Sequence, residues 1–112
     1  PVLSATTALN VNASAAPNPL SITGNDGANN LTGTAFADIL IGGADNDILI
    51  GGAGTDAING GDGSDIHLIA SSTDHSAAEF NDTGTSGTDE LRFASITAGQ
   101  TLSVFATDRG LE

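Results

Sequence analysis

The chain is 112 residues long and carries 14 acidic against 2 basic side chains, a net charge of −12 at neutral pH, with no cysteine, methionine, tryptophan or tyrosine. Nucleic acid and anionic membrane surfaces are thereby disfavoured as partners, because both are bound through basic patches, and disulfides and thiolate metal sites are excluded. Four phenylalanines are the whole aromatic complement, so a conventional globular core would be poor, and no apolar run approaches the length that membrane insertion needs.

Cations are the natural partner of such a chain. Without them, stacked carboxylates repel and a glycine-rich backbone loses much entropy on ordering, so metal binding and folding are expected to be coupled. At this length the sequence reads as one domain or a segment of a larger protein. It opens on Pro1 rather than methionine, and the expectation is a segment.

Residues 1–23 are poor in charge and are expected to form an N-terminal linker and capping strands. Leu9-Asn10-Val11-Asn12 alternates like a half-buried strand, Pro17-Asn18-Pro19 is a turn, and Leu20-Ser21-Ile22-Thr23 alternates again. Ile22 lies nine residues before Leu31 and so holds the same place in a degenerate preceding block.

Residues 24–69 carry the main signal. From Gly24 to Leu68 the chain divides into five uninterrupted blocks of nine: GNDGANNLT, GTAFADILI, GGADNDILI, GGAGTDAIN and GGDGSDIHL. Position 1 is always glycine; position 6 is Asn29, Asp38, Asp47, Asp56 and Asp65; position 8 is Leu31, Leu40, Leu49, Ile58 and His67. A fixed short period is the signature of a solenoid. Positions 1–6 have turn chemistry and positions 7–9 are apolar or β-branched, so each block reads as a turn followed by a short strand. Two blocks complete a coil. Blocks 1, 3 and 5 then stack on one wall and blocks 2 and 4 on the other, with position 8 inward as a thin aliphatic core. Stacking also brings together the position-6 carboxylates of blocks two apart. Calcium takes six to eight oxygens from carboxylates and carbonyls, so each gap between stacked turns is a candidate calcium cage.

These blocks resemble the RTX, or haemolysin-type, calcium-binding nonapeptide repeat. The resemblance implies an all-β, right-handed parallel β-roll, with N-terminal capping strands and a small C-terminal β-hairpin cap in this chain. It also implies that the carbonyls of positions 1, 2 and 4 and the aspartate of position 6 hold the metal. Carried onto this chain, the ligands are Gly42, Gly43, Asp45 and Asp47; Gly51, Gly52, Gly54 and Asp56; and Gly60, Gly61, Gly63 and Asp65. Asn25, Gly27 and Asn29 of block 1 and Thr34, Phe36 and Asp38 of block 2 complete the set. Block 1 has Asn29 in place of a carboxylate and reads as a weaker half-site. Thr34 and Phe36 stand where glycines are usual, so that turn is expected to be distorted, since a left-handed non-glycine residue costs roughly 1–2 kcal/mol. Two stacked pairs, blocks 2 with 4 and 3 with 5, predict two or more calcium ions, and blocks 1 with 3 offer a third.

Residues 70–112 are expected to be a C-terminal loop and β cap. His67 reads as an interior histidine rather than a ligand. The resemblance implies an aspartate about nine residues past the last repeat that closes the final site, and Asp74 fits, with Glu79 and Asp82 as helpers. Asp89–Phe93 and Thr101–Phe105 each alternate, and read as a hairpin or two paired strands over the mouth of the roll. The tail also looks like sequence that follows such blocks in large tandem-repeat bacterial surface proteins, which makes neighbouring modules of the parent chain partners.

No nucleophile elbow or multi-histidine zinc motif occurs, and catalysis is not expected. The resemblance implies a calcium-binding structural module of a secreted or cell-surface bacterial protein, folding on extracellular Ca²⁺ after type I secretion. The alternatives are an adhesin module binding a carbohydrate, ice or a protein through outward residues such as Ile39, Ile41, Ile48 and Ile50, or an accessory domain stabilising a secreted enzyme.

Overall fold

The computed structural model describes residues 6–71, 74 and 79–94. These residues form eight strands and no helix: β1 (Asn10–Asn12), β2 (Ser21–Thr23), β3 (Asn30–Thr32), β4 (Ile39–Gly43), β5 (Ile48–Ile50), β6 (Ala57–Gly61), β7 (Ile66–Ile69) and β8 (Glu90–Phe93). One sheet has the order β1-β3-β5-β7-β8 and the other β2-β4-β6, with every pairing parallel. Odd blocks therefore build one wall and even blocks the other, as the nine-residue period requires. The result is a parallel β-roll.

The register follows the blocks. Leu31 pairs with Leu49, Leu49 with His67, Ile22 with Leu40 and Leu40 with Ile58. Each step is two blocks, so position 8 stacks on position 8 down both walls. Leu31, Leu40, Leu49, Ile58 and His67 are buried, as is Ile22 of the degenerate block. The core is thus a double file one side chain wide, flanked at its ends by the half-buried Val11, Ala13, Leu91 and Phe93. Neighbouring positions 7 and 9 point outward, as alternation demands. Ile39 and Ile41 are 48% and 38% exposed.

Longer coils close the two ends. Val11 pairs with Leu31 and Leu91 with His67, so extra residues are absorbed in the turns while the strand register is kept. Within the segment Asp89–Phe93, Glu90–Phe93 is a fifth rung parallel to β7, where Leu91 takes the position-8 place below His67. Its expected partner, Thr101–Phe105, lies outside the described residues. Between β7 and β8 the chain returns to the even wall, where Phe80 bridges Ile58 and its ring meets that of His67 at 4.9 Å.

A core this narrow has no slack. Leu49→Ala, at a fully buried position, is expected to cost about 2–5 kcal/mol. Ile41→Ala, on the exposed face, is expected to cost under about 1 kcal/mol. Denaturant melts of the calcium-loaded chain measure both.

Candidate metal centre

The position-6 residues form two hydrogen-bonded spines, one along each wall. The Asn29 N–H donates to Asp47 Oδ1 at 2.7 Å, Asp38 N–H to Asp56 Oδ1 at 2.9 Å and Asp47 N–H to Asp65 Oδ1 at 2.8 Å. The spines run past the repeats at both ends. Leu9 N–H donates to Asn29 Oδ1, Leu20 N–H to Asp38 Oδ1, and Asp65 N–H to Asp89 Oδ1. One oxygen of each position-6 side chain is therefore spent on the backbone of the preceding coil. This is why a side-chain acceptor recurs there even where no charge is present.

The second oxygen divides the blocks into two kinds. In Asp47, Asp56 and Asp65 the Oδ2 atom is buried and has no hydrogen-bond partner among the described residues. It lies over the position-1 glycine of its own block, where a Cβ on Gly42, Gly51 or Gly60 would collide with it. The Gly60 carbonyl reaches the same corner at Gly42. On the turn edges, the carbonyls of Thr34, Gly43 and Asp45 press against Gly52, Gly61 and Gly63, and that of Phe36 lies by Gly54. Gly52 and Gly61, both at φ 100°, hold a conformation that side chains resist. Among the described residues the left-handed non-glycine residue is Asp45, at φ 62°, and not Thr34 or Phe36.

Blocks 1 and 2 fill the corresponding space with protein groups. The Asn29 amide donates to the Asn25 carbonyl at 3.0 Å, the Gly42 carbonyl at 3.3 Å and Asp47 Oδ1 at 3.0 Å. Asn25 accepts from Gly27 N–H and donates to the Thr7 carbonyl, which closes the block 1 turn. The Thr34 backbone N–H and hydroxyl both donate to Asp38, and that hydroxyl accepts from Phe36 N–H. The non-glycine turn of block 2 is thus held by side-chain bonds rather than by left-handed backbone.

Buried carboxylate oxygens need a cationic or hydrogen-bonding partner. The described residues supply no basic side chain at these corners; Arg92 pairs with Glu90 on the surface at 2.8 Å. A hard divalent cation, which takes carboxylate and carbonyl oxygens, fits this donor set. A family model for the RTX calcium-binding nonapeptide repeat, in four copies, matches residues 23–58 and 32–66. These residues belong to the RTX calcium-binding repeat family. No curated protein and no solved structure matches the chain.

The last RTX block opens on a denser group. Asp65, Asp82 and Asp89 bring carboxylate oxygens within 4.8 Å of one another. Each like-charged pair at that distance repels by on the order of 3 kcal/mol at an effective dielectric constant of 20. Asp74 stands on the other wall, where its charge adds to the repulsion at Asp56. Glu79 is buried next to Phe80. Asp89 was not legible as a site residue from the uninterrupted period. Yet residues 84–92 read GTSGTDELR, with Gly84, Gly87, Asp89 and Leu91 at positions 1, 4, 6 and 8. They form a sixth block, hidden by the fifteen residues that precede it.

Burial pushes the Asp56 carboxyl up to about 6, with Asp38 and Asp74 adding repulsion. Burial likewise lifts Asp65 to about 6, helped by Asp47, Asp89 and Asp82, and moves Asp47 upward. A raised acid stabilises the metal-free coil below its unfolded pKa of about 3.9, and that stabilisation is lost as pH rises through about 6. Calcium and protons then compete for the same oxygens. The calcium concentration at the folding midpoint is expected to fall as pH drops from 7 to 5, because protonation stabilises the metal-free coil while the unfolded carboxylates, with ordinary pKa values of about 3.9, stay charged. Calcium titrations followed by circular dichroism at several pH values in this range measure it, and a midpoint that rises as pH falls would contradict the assignment.

Proposed function

We propose that the chain is a calcium-actuated structural module of a secreted or cell-surface bacterial protein, loose where calcium is scarce and rigid where it is abundant. The observation that carries this reading is the buried, unpartnered Oδ2 shared by Asp47, Asp56 and Asp65. In the proposal these aspartates hold the ions, together with carbonyls of Gly42, Gly51 and Gly60 and of the turns that stack on them. Metal-free, the three oxygens oppose folding; calcium reverses their sign. Such a chain suits passage through a narrow export channel, consistent with type I secretion, and then serves as a stiff spacer between neighbouring modules. We assign it no catalytic step.

The partnering of Asn29 and Asp38 bears on the ion count. Their corners are the rungs in which an amide and a threonine do the bridging, so the proposed ions start at Asp47. A second reading, an adhesive or partner-binding face, draws on Leu20, Ile39 and Ile41, which are exposed on the side of the roll formed by β2 and β4.

Circular dichroism tests the first reading. A β signal is expected to appear with calcium, to vanish with chelator, and to respond poorly to magnesium, whose octahedral demand suits these corners less well. A full β signal in chelator at neutral pH would overturn it. Asn29→Asp, which replaces the bridging amide with a carboxylate, is expected to raise the bound-calcium count by one in native mass spectrometry.

A further inference from the structure

We propose that Asn59-Gly60 is a modification site that the folded roll keeps closed. When β6 unwinds, the Asn59 side-chain amide is lost through a cyclic imide, and the isoaspartyl product bars the coil from re-forming. The inference rests on the calcium reading above only for what unwinds the strand.

Position 9 of each repeat precedes the residue that opens the next block. In the first three blocks it is Thr32, Ile41 and Ile50, β-branched residues without an amide. In the fourth it is Asn59, and Asn59-Gly60 is the one Asn-Gly pair in the chain. An asparagine side chain is open to attack by the backbone nitrogen that follows it. Glycine, having no Cβ, neither shields that nitrogen nor restricts its approach. The fold cannot dispense with this glycine, because a Cβ at Gly60 would collide with the Asp65 carboxylate. The reactive pair is therefore built into the rung.

The chemistry needs water alone as co-reactant. The Gly60 nitrogen gives up its proton and bonds to Asn59 Cγ. The Cγ–Nδ2 bond breaks, and ammonia carries the proton away. Water then opens the five-membered imide at either carbonyl, leaving aspartate or isoaspartate, and nothing is oxidised or reduced.

The roll blocks the first step. Cyclisation requires the Asn59 backbone to rotate out of the extended range, so that the Gly60 nitrogen faces Cγ. Both edges of β6 resist that rotation. Asn59 pairs with Ile41 and Gly61 with Gly43 on one side. On the other, Ile58 N–H donates to the Glu79 carbonyl at 2.9 Å and the Ile58 carbonyl accepts from Asn81 N–H at 3.0 Å. The amide itself is gripped at both atoms: Nδ2 donates to Thr83 Oγ1 at 2.9 Å, and Oδ1 accepts from Thr83 N–H at 3.1 Å. Unwinding releases all of these together. In isoaspartate the main chain runs through Cβ and Cγ, which inserts a methylene between Ile58 and Gly60. Gly61 then no longer meets Gly43, and Gly60 slips from its place against Asp65.

Peptide mapping by mass spectrometry tests the site on the full chain, held in mildly alkaline buffer with calcium, with chelator, or with calcium in concentrated urea. Conversion at Asn59 is expected to be at least about tenfold slower in calcium than in urea, because reaction waits on an opening of the strand. Equal rates in those two samples overturn the inference. The chelator sample reports on the calcium reading separately. A rate matching urea upholds that reading, and a rate matching calcium defeats it while the modification site stands. Refolding tests the consequence. After a long hold in urea, dilution into calcium is expected to restore the β circular dichroism of the parent chain in proportion to the fraction free of isoaspartate. Asn59→Thr, which repeats the position-9 residue of block 1, is expected to recover fully. A parent chain that refolds completely despite conversion overturns the inference.

Discussion

A carboxylate has two oxygens, and this roll uses them for different ends. The first ties each coil to the one before it through a backbone N–H, from Leu9 down to Asp65. The second, in Asp47, Asp56 and Asp65, is turned into a glycine-walled corner with no hydrogen-bond partner among the described residues. Burial raises the cost of charge there. The same side chain thus both fixes the register and penalises the coil until a cation arrives.

This division explains the economy of the rest. The core is a single file of aliphatic side chains on each wall, with little apolar area to offset the ordering of glycine-rich turns. Backbone ladders and the spines give direction, and the corners decide whether the coil persists. The two ends depart from the pattern in opposite ways. At the N-terminal end, Asn29 and Thr34 bring donors into the corners, so those rungs are complete within the protein. At the C-terminal end the chain adds carboxylates instead, from Asp82 and Asp89.

Much of this was legible from residue spacing. The nine-residue period assigned the walls, the position-8 file placed Leu31, Leu40, Leu49, Ile58 and His67 inside, and Ile22 followed from the same count. Three features were beyond that reach. The sixth block lies out of phase, so a count of unbroken repeats does not show that its strand continues the wall beside β7. The use of Oδ1 by the preceding coil depends on three-dimensional stacking, so aspartate and asparagine look like ligands when they are also struts. The strain expected at Thr34 and Phe36 falls on Asp45, because a threonine hydroxyl can build the turn through Asp38 without left-handed backbone.

Hydrogen exchange at the spine amides addresses the coupling between register and cation most directly. The amides of Asn29, Asp38 and Asp47 donate to the very carboxylates whose other oxygen is unpartnered. At neutral pH they should exchange rapidly in chelator and become strongly protected in calcium. Equal, strong protection in both conditions would mean that the coil closes without a cation, and the second oxygen would then have no part in deciding whether the roll folds.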